Sequence, residues 1–476
     1  MSNPLTPKER TQVPRQDMPV EPADLRRHDF HEVNLGLSIA QAHTEASRCL
    51  ECHHPTCIEG CPVGVKVKEF VQLIYDGRYL DAAAKIREDN ALPAITGRVC
   101  PQEDQCEGAC ILGKRFAPLG IGYLERFVAD FEQQNGGPAF PEKAPPTGKY
   151  VAIIGSGPAG LSAAGDLVLK GHEVTIFEAL HEPGGVLIYG IPEFRLPKAI
   201  VRQEIANLRT LGVKFETNVV IGKTISIEEL FQEEGFHAVF IATGAGLPKF
   251  LGVPGEHLAG VYSANEYLTR VNLMHAHEFP QYDEPVFNCR GRTVAVVGGG
   301  NTAMDAVRTA LRLGASRALV LYRRTKLEMP ARHEEVRHAE EEGVEFRELV
   351  APLEFRGDAA GHLTSVRCQR MQLGEPDATG RQSPVGIPGS EVDIPIDMAV
   401  IALGTGPNPL VQSATPDLAT DAKGHIQTDD RTLQTSRKGV FAGGDVVTGG
   451  ATVILAMGAG RKAAAAIHEY LGECRS

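Results

Sequence analysis

Two glycine-rich turns, each lying between an apolar strand and a helix, constrain the fold of this chain most strongly. From residue 149, KYVAIIG predicts a buried strand, PAGLSAAGDLVLKG a helix and HEVTIFEA the next strand. The same order recurs 143 residues later, from Gly155 to Gly298, in RTVAVVGGG, NTAMDAVRTALRLGA and ALVLYRR. Strand, turn and helix in this order form a parallel α/β unit, so the chain contains two such units.

The first turn has the spacing of a dinucleotide-binding fingerprint. Its first glycine allows the tight turn, its second lets the backbone approach a pyrophosphate, and its third lets the helix pack on the strand. The helix N-terminus supplies free N–H groups for the anion. An acidic residue ends the next strand, where a carboxylate accepts a ribose hydroxyl and repels a 2′-phosphate. We therefore predict an FAD site at Gly155, Ser156, Gly157, Pro158, Ala159, Gly160 and Glu178.

The second turn differs from the first at the end of the strand that follows it. Where the first unit has Glu178, the second has Arg323 and Arg324. A guanidinium matches the geometry of a 2′-phosphate, so we predict NADPH here. The alternative is that both arginines are ordinary surface charges. The predicted turn residues are Gly298, Gly299, Gly300, Asn301 and Thr302, with alanine in place of the third glycine.

A third turn, at Gly444 and Asp445, lies between a strand and a long Ala/Gly-rich helix near the end of the chain. In flavoproteins with two nucleotide sites, such a turn closes over the FAD. The FAD-binding unit is therefore predicted to be split by an inserted NADPH-binding unit. Because no cysteine lies between residues 111 and 288, a dithiol relay beside the flavin is not expected.

Seven of the ten cysteines fall in one short region, between Cys49 and Cys110. Closely spaced thiolates suit a metal or a cluster, and four cysteines followed by proline are typical of ferredoxin-like [4Fe–4S] binding. Two clusters need eight ligands, so one ligand is not a cysteine. We expect Cys49, Cys52, Cys57 and Cys110 at the first cluster, and Cys61, Cys100 and Cys106 at the second.

Structural zinc is the alternative for these cysteines, since pairs spaced Cys-x2-Cys also occur in zinc sites. The number of cysteines, the Cys61-Pro62 ending and the adjacent nucleotide units favour iron. His53 and His54 are expected to shape the loop rather than to act as ligands. The three scattered cysteines are expected to be ordinary thiols: Cys289, Cys368 and Cys474.

Composition divides the chain into an iron–sulfur region and the two nucleotide units. VKEFVQLIYDGRYLDAAAKIRED and IGYLERFVADFEQQ have helical periodicity, so the fold class is α/β with an N-terminal helical domain. HEEVRHAEEEG at 333–343 is expected to be a solvated helix face, and 356–392 hairpins and loops. The predicted bounds are 1–135 for the [4Fe–4S] domain, 136–148 for a linker, 149–288 and 396–476 for the FAD-binding domain, and 289–395 for the NADPH-binding domain.

Charge and hydropathy exclude several classes of protein. A net charge of −12 argues against a nucleic-acid binder, which would present a basic surface. No apolar run approaches the length of a membrane span, and the N-terminus has no secretory signal. A cytoplasmic location without a nucleic-acid or membrane partner is therefore expected.

Together, the cysteine region, the two fingerprints and the Gly444-Asp445 turn resemble the small (β) subunit of NADPH-dependent glutamate synthase, over roughly residues 30–470. ALPAITGRVCPQEDQCEGAC, IGYLERFVAD and VLIYGIPEFRLPK carry the resemblance and are most similar to the stand-alone, archaeal-type branch. Related modules occur in bifurcating ferredoxin:NADP transhydrogenases, in sulfide dehydrogenases and at the front of dihydropyrimidine dehydrogenase.

The resemblance also implies further site residues and a reaction. It implies Glu125 as the eighth cluster ligand, FAD contacts at Gly185, Val186 and Arg195, and an NADPH contact at Gly404. It implies hydride transfer from NADPH to FAD, then single electrons through two [4Fe–4S] clusters. No catalytic acid or base is required, because the cofactors carry the chemistry.

The partner implied is a large FMN- and iron–sulfur-containing subunit that makes L-glutamate from 2-oxoglutarate, or else further copies of this chain. The chain begins Met-Ser and has no third nucleotide unit, so it is not expected to be a complete glutamine-dependent enzyme. The alternatives are a transhydrogenase or sulfide dehydrogenase subunit, and a zinc-stabilised adaptor with an inactive nucleotide fold.

Overall fold

The structure is a computed structural model and describes residues 5–278, 281, 286–377 and 380–473. Its N-terminal part is helical, as the periodicity predicts. Two 3₁₀ turns, Gln102–Asp104 and Ile111–Lys114, carry the chain between the last two of its helices. Those helices are α1 Pro7–Arg10, α2 Ala23–Arg26, α3 Ile39–Ala46, α4 Thr56–Glu59, α5 Val67–Tyr75, α6 Tyr79–Arg87, α7 Pro93–Val99 and α8 Ile121–Gln134.

Residues 136–148 then run along the first nucleotide unit without a helix or strand. Two backbone hydrogen bonds hold this segment there, from Ala144 N–H to the Leu169 carbonyl and from Thr147 N–H to the Gly171 carbonyl. Five parallel strands form the sheet of this unit, in the spatial order β5, β4, β1, β2, β3. They are β1 Tyr150–Ile154, β2 Glu173–Glu178, β3 Lys214–Thr217, β4 Ala238–Ile241 and β5 Val440–Ala442.

The last strand of this sheet comes some 200 residues after the others, so the second unit is inserted in the first, as predicted. The inner strands are buried along almost their whole length because helices cover both faces. These helices are α9 Pro158–Leu169, α10 Val186–Tyr189, α11 Lys198–Thr210, α12 Ile227–Gln232, α13 Leu410–Ser413, α14 Asp445–Thr448 and α15 Val453–Glu473.

The second unit also has a five-stranded parallel sheet, in the spatial order β6, β10, β7, β8, β9. The strands are β6 Val261–Ser263, β7 Thr293–Val297, β8 Arg317–Tyr322, β9 Glu345–Glu348 and β10 Met398–Ile401. Its helices are α16 Ala264–Leu273, α17 Asn301–Arg312 and α18 His333–Glu341, with 3₁₀ turns at Ala276–Glu278 and Lys326–Glu328.

Two strands of this sheet lie outside the predicted NADPH-binding bounds of 289–395. Val261–Ser263 and Met398–Ile401 pair with each other, and Met398–Ile401 also pairs with Thr293–Val297. The structure therefore begins the second unit earlier and ends it later than the sequence pattern indicates. The chain enters the second unit after β4 and returns to the first unit after β10. These two connecting segments pair as a two-stranded antiparallel ribbon, Leu247–Pro248 with Thr405–Gly406.

Antiparallel strands fill the region that was expected to form hairpins. They pair around a central long strand, and they pack against one side of the second sheet through a shared apolar core. They are Val350–Gly357, Leu363–Pro376, Gln382–Gly386 and Val392–Pro395. Cys289 and Cys368 are buried, and Cys474 lies outside the described residues.

The segment 333–343, expected to be a solvated helix face, is exposed on one side at Arg337, Glu340 and Glu341, but its other side is buried, so that expectation is wrong for the buried side. Glu335, His338 and Glu342 are at most 5% exposed. Glu342 accepts hydrogen bonds from three arginines on two helices, Arg26 on α2 and both Arg308 and Arg312 on α17. Glu335 and Glu342 lie on this buried side and pair with guanidiniums of other segments, so burial does not leave their charges uncompensated.

No helix among the described residues has the length and apolarity needed to cross a membrane.

Candidate functional site

Four cysteines, Cys49, Cys52, Cys57 and Cys110, line one cleft of the N-terminal domain. Cys57 lies in the short helix α4, and Cys110 immediately precedes the second 3₁₀ turn. Burial raises the pKa of Cys49 to about 11 and that of Cys57 to about 12, and the neighbouring thiols add to both shifts. Such thiols ionise only when a cation is bound, because the bound charge compensates the thiolates.

A second group contains Cys61, Cys100, Cys106 and Glu125. Burial raises the pKa of both Cys100 and Cys106 well above its ordinary value, and the Glu125 carboxylate raises the pKa of all three thiols further. The structure thus places Glu125 beside Cys61, Cys100 and Cys106, the three cysteines for which the sequence offered no fourth cysteine. This is the division into two groups that the spacing predicts.

The Glu125 side chain is held by two hydrogen bonds that leave one oxygen available. Its Oε1 accepts from Thr96 Oγ1 at 2.5 Å and from Asn90 Nδ2 at 2.8 Å. Burial raises the pKa of Glu125 to about 7, although both hydrogen bonds act in the opposite direction. A buried carboxylate fixed at one oxygen can present the other to a metal. The donor set fits an iron centre.

The spacing of the thiols fits a cluster better than a single ion. A zinc ion with Zn–S bonds of about 2.3 Å holds its sulfur ligands about 3.8 Å apart. Within the described chain, two groups of three potential ligand atoms lie within 4.8 Å of one another, and neither includes these cysteines.

His53 and His54 contact each other, with ring nitrogens 3.2 Å apart.

The first glycine-rich turn connects β1 to α9 and is tightly packed on the protein side. Gly155 has a φ of +103°, and a Cβ there would lie 2.5 Å from the Ala242 carbonyl oxygen. A Cβ at Gly160 would lie 2.1 Å from the Gly155 carbonyl oxygen. Gly157 is the N-cap of α9, which begins at Pro158, and a Cβ on Gly157 would meet no atom within 4 Å. The turn therefore leaves an open cradle at the helix N-terminus, which fits a pyrophosphate.

Glu178 supports this turn directly. Its Oε2 accepts hydrogen bonds from the Ser156 hydroxyl and from Ser156 N–H, the latter at 3.0 Å, and its Oε1 accepts from Leu180 N–H at 2.9 Å. The carboxylate is 6% exposed at the end of β2. Glu178 thus shapes the cradle.

Two distant segments complete the cradle. A Cβ at Gly185 would lie 2.9 Å from the Gly157 Cα, so the loop before α10 contacts the first turn. Gly444, with a φ of +76°, would place a Cβ 3.0 Å from the Ala159 Cβ. Val186 is 51% exposed although it is apolar. Asp445 is the first residue of α14, and burial raises its pKa.

The second glycine-rich turn has the same construction. A Cβ at Gly298 would lie 2.4 Å from the Ala402 carbonyl oxygen, and one at Gly299 would contact the Tyr322 ring at 2.6 Å. Gly300 is the N-cap of α17, and a Cβ there would meet nothing within 4 Å. Thr302 is exposed in the first turn of that helix. A Cβ at Gly404 would also meet no atom within 4 Å, and the Gly404 carbonyl accepts a hydrogen bond from Lys249 N–H at 3.1 Å.

The two arginines after β8 have different surroundings. Arg324 is 5% exposed; it donates to the Gln382 carbonyl at 2.7 Å and pairs with Asp377 at 2.8 Å. Arg323 is exposed, and among the described residues it forms no ion pair. Arg324 therefore holds the antiparallel strands, whereas Arg323 is available to a ligand.

Arg195 connects the two nucleotide units. Its Nη1 donates to both oxygens of Asp305 in α17, at 2.7 and 2.8 Å, and its Nε lies 3.4 Å from Glu335 Oε1. Its side chain is 7% exposed. In this conformation the guanidinium is directed at the second unit.

Arg332 is a residue that the sequence analysis missed. Its N–H donates to Asn301 Oδ1 at 2.9 Å, and its side chain donates to Gln102 at 2.7 Å and to Glu103 at 3.3 Å. It also lowers the pKa of Cys100, against the larger effect of burial. Arg332 therefore links the second glycine-rich turn to the second cysteine group. The one sequence signal that could have indicated Arg332 is its position directly before the charged helix α18.

Comparison with known proteins then identifies the family. Residues 26–137 match the family described as dihydropyrimidine dehydrogenase domain II, 4Fe-4S cluster, and residues 149–463 match pyridine nucleotide-disulphide oxidoreductase. The chain is 39% identical over 454 residues to the glutamate synthase [NADPH] small chain of Azospirillum brasilense, covering 94% of this chain and 93% of that protein. The chain belongs to the glutamate synthase small-chain family.

Other members of this wider group serve different enzymes. The β subunit of NADP⁺-dependent formate dehydrogenase from Moorella thermoacetica is 40% identical, over 87% of this chain and 60% of that protein. Among solved structures, FprA from Mycobacterium tuberculosis in complex with NADPH matches with a TM-score of 0.58 at 20% identity, covering 70% of this chain and 86% of that one. The likeness to FprA shows the fold of the nucleotide units.

These comparisons confirm two predictions and reject one alternative. The fold is α/β with an N-terminal 4Fe-4S domain ahead of two Rossmann-like units. The chain is an NADPH-dependent oxidoreductase with FAD- and NADPH-binding domains. The 4Fe-4S match also decides against the zinc-stabilised adaptor.

Proposed function

We propose that this oxidoreductase is the electron-input subunit of an NADPH-dependent glutamate synthase. It would deliver electrons from NADPH to a partner flavin that reduces the adduct of 2-oxoglutarate and ammonia to L-glutamate. The observation that carries this proposal is a continuous arrangement from the nucleotide turns to the protein surface, through the two cysteine groups.

Helix α15 links the first turn to the cysteines. A Cβ at Gly460 would lie 2.2 Å from the Ala159 carbonyl oxygen, and one at Gly458 would lie 2.8 Å from the Pro62 carbonyl oxygen. Pro62 directly follows Cys61, so one helix contacts both the FAD cradle and the second cysteine group. Arg461 of the same helix reinforces this contact by donating to the Val63 carbonyl at 3.4 Å.

The proposed FAD contacts are the first turn with Glu178, the loop at Gly185 and Val186, and Gly444-Asp445. Arg195 is retained as a contact on the strength of the family resemblance. A bound FAD would supply the chemistry that couples the two-electron donor NADPH to one-electron acceptors. The chain's own residues bind and orient the two nucleotides: the helix N-termini hold the pyrophosphates, and the buried contacts around each turn exclude water.

For NADPH we propose the turn Gly298–Thr302, Gly404 and, at the 2′-phosphate, Arg323. Arg323 is exposed, whereas Arg324 is engaged by Asp377 and Gln382. Arg324 then contributes its charge and holds the strand end in place. This refines the expectation that both arginines bind the phosphate.

Two [4Fe–4S] clusters are proposed, one at each cysteine group. Cys61, Cys100, Cys106 and Glu125 would hold the inner one, and Cys49, Cys52, Cys57 and Cys110 the outer one. Of the inner group, Cys100 and Cys106 are buried and Cys61 is partly exposed, whereas the four outer cysteines are all partly exposed. Electrons would therefore pass from the FAD cradle to the inner group and leave from the outer group.

The surface beside the outer group is suited to a protein partner. Ile111, which directly follows Cys110, is 36% exposed, and Phe116, six residues after Cys110, is 45% exposed. Apolar side chains at such a rim favour docking and let a partner's flavin approach the cluster without intervening water. We therefore place the large subunit at this surface.

The test is anaerobic turnover by the purified chain with NADPH, 2-oxoglutarate and ammonia, run beside a one-electron dye. Dye reduction without glutamate, followed by glutamate formation once a glutamate synthase large subunit is added, is the expected result. Glutamate formation by the chain alone would contradict the input-subunit assignment. Dye reduction that no large subunit converts into glutamate would direct the assignment to another NADP-linked complex.

A further inference from the structure

A compact group of two histidines and one glutamate lies outside the nucleotide and cluster sites. His275, His277 and Glu278 follow α16 in the segment HAHE. Glu278 Oε1 lies 3.3 Å from His275 Nδ1 and 3.4 Å from His277 Nε2, and one ligand atom from each residue lies within 4.8 Å of the others. Neither the fold nor the proposed electron transfer explains this convergence.

These distances match the spacing of ligands around a small transition-metal ion. Tetrahedral zinc with nitrogen and oxygen ligands at about 2.0–2.2 Å holds those atoms about 3.4 Å apart. Two imidazoles and one carboxylate are a common donor set for zinc. The site is also accessible, with side-chain exposures of 27% for His275, 18% for His277 and 47% for Glu278.

The backbone already holds these residues in place. His275 N–H donates to the Asn272 carbonyl at 3.2 Å, and Glu278 N–H donates to the His275 carbonyl at 2.8 Å. Asn272 in turn donates through Nδ2 to the carbonyls of Tyr189, at 3.0 Å, and Ile191, at 3.3 Å. The turn is therefore fixed to the first nucleotide unit, so an ion would meet ligands that are largely preorganised.

The charges around the group suit a cation. Two carboxylates, Glu193 and Glu278, face the His277 ring. Glu193, from the first unit, exerts the largest carboxylate effect on His277. Lys198 also faces His277, and its ammonium group donates to the Ile191 carbonyl and to the Leu196 carbonyl.

We propose that His275, His277 and Glu278 form a binding site for a zinc-type divalent transition-metal ion at the junction of the two nucleotide units. Glu193 or water would complete the coordination. A bound ion would stiffen the end of α16 against the segment that carries Glu193. This proposal does not depend on the identity of the electron acceptor.

The test uses the intact holoprotein with its full iron content, after chelator treatment and dialysis, titrated with zinc chloride in a calorimeter. We expect one zinc per chain. His277→Ala and Glu278→Gln should each weaken binding by more than the roughly 10-fold that losing an outer-sphere partner costs. Because two different ligands are replaced, the proposal can still be tested if one of these variants fails to fold.

Two further variants are matched controls. His362→Ala removes an exposed histidine whose Nδ1 lies 3.8 Å from Asp358 Oδ1 but that has no second imidazole beside it among the described residues. His31→Ala removes the one histidine of the other group of potential ligands, with Glu21 and Asp29. Both variants should bind zinc as the unaltered protein does.

Hydrogen exchange supplies a second readout. Zinc should slow amide exchange over residues 264–278 in the unaltered protein and leave it unchanged in His277→Ala. The proposal is overturned if the unaltered protein binds no zinc, if His277→Ala and Glu278→Gln bind it unchanged, or if His31→Ala alone abolishes binding.

Discussion

Replacing Glu342 by glutamine tests the buried ionic network that joins the N-terminal segment to the second nucleotide unit. Glu342 is fully buried and accepts from Arg26 Nε at 2.9 Å, Arg308 Nη2 at 2.7 Å and Arg312 Nη1 at 2.8 Å. Although burial alone would raise the pKa of Glu342, the Arg308 and Arg312 guanidiniums hold it well below its usual range. The carboxylate is therefore ionised at neutral pH.

The loss of stability expected for Glu342→Gln depends on which hydrogen-bond and ion-pair partners each arginine keeps. Without the Glu342 charge, Arg308 still pairs with Glu335 and Arg26 still pairs with Glu341. Arg312 retains one acceptor among the described residues, the Arg308 carbonyl at 3.1 Å. Breaking a buried pair at one partner costs about 3–5 kcal/mol, and we expect the lower end because two arginines keep a partner.

Thermal unfolding of the holoprotein measures this cost. For a unit of 150–250 residues, about 3 kcal/mol corresponds to a fall in Tm of about 6–12 °C. Glu341→Gln is the matched control, since Glu341 is 42% exposed and pairs with Arg26 at 2.7 Å. An exposed pair contributes at most about 1 kcal/mol. Equal shifts for Glu341→Gln and Glu342→Gln would refute the reasoning.

Four further predictions concern the cofactor sites and pH. Cys106→Ala should lower the iron content by about four atoms per chain while FAD stays bound, and full retention of iron would contradict the ligand division. Gly157→Ala should preserve the unfolding temperature, since its Cβ meets no atom within 4 Å, yet reduce the FAD content; unchanged FAD would argue against the cradle. Arg323→Glu should raise KM for NADPH much more than KM for NADH, and equal effects would reject the 2′-phosphate role. Arg195 and Arg308 outweigh burial and hold the pKa of Glu335 at about 2, below the ordinary 4.5, so its stabilisation is complete above pH 4.5 and is lost as pH falls towards 2. Glu335→Gln should flatten this decline in urea unfolding followed by circular dichroism, and an unchanged slope would refute the assignment.

Local features of the sequence were enough to predict the units and much of the candidate site. Glycine is required where a turn is tight or where two backbone segments contact each other closely. These requirements fall within a few residues of one another, so both fingerprints could be located in the sequence. The grouping of the seven cysteines followed from spacing and from the count of eight ligands. Glu125 needed the family resemblance, because Glu103 and Glu107 are equally plausible by spacing alone.

Sequence alone determined the order of the units, the two nucleotide turns and the supply of thiolates, because each depends on short-range geometry. Only the tertiary structure showed that Val261–Ser263 and Met398–Ile401 join the second sheet, since strand partners are chosen across long distances in the chain. It also showed that one face of the charged helix, with Glu335 and Glu342, is buried, and that Arg332 reaches the second cysteine group. Whether a charge faces water or a buried counter-ion depends on which segments pack against it, and no local pattern records that.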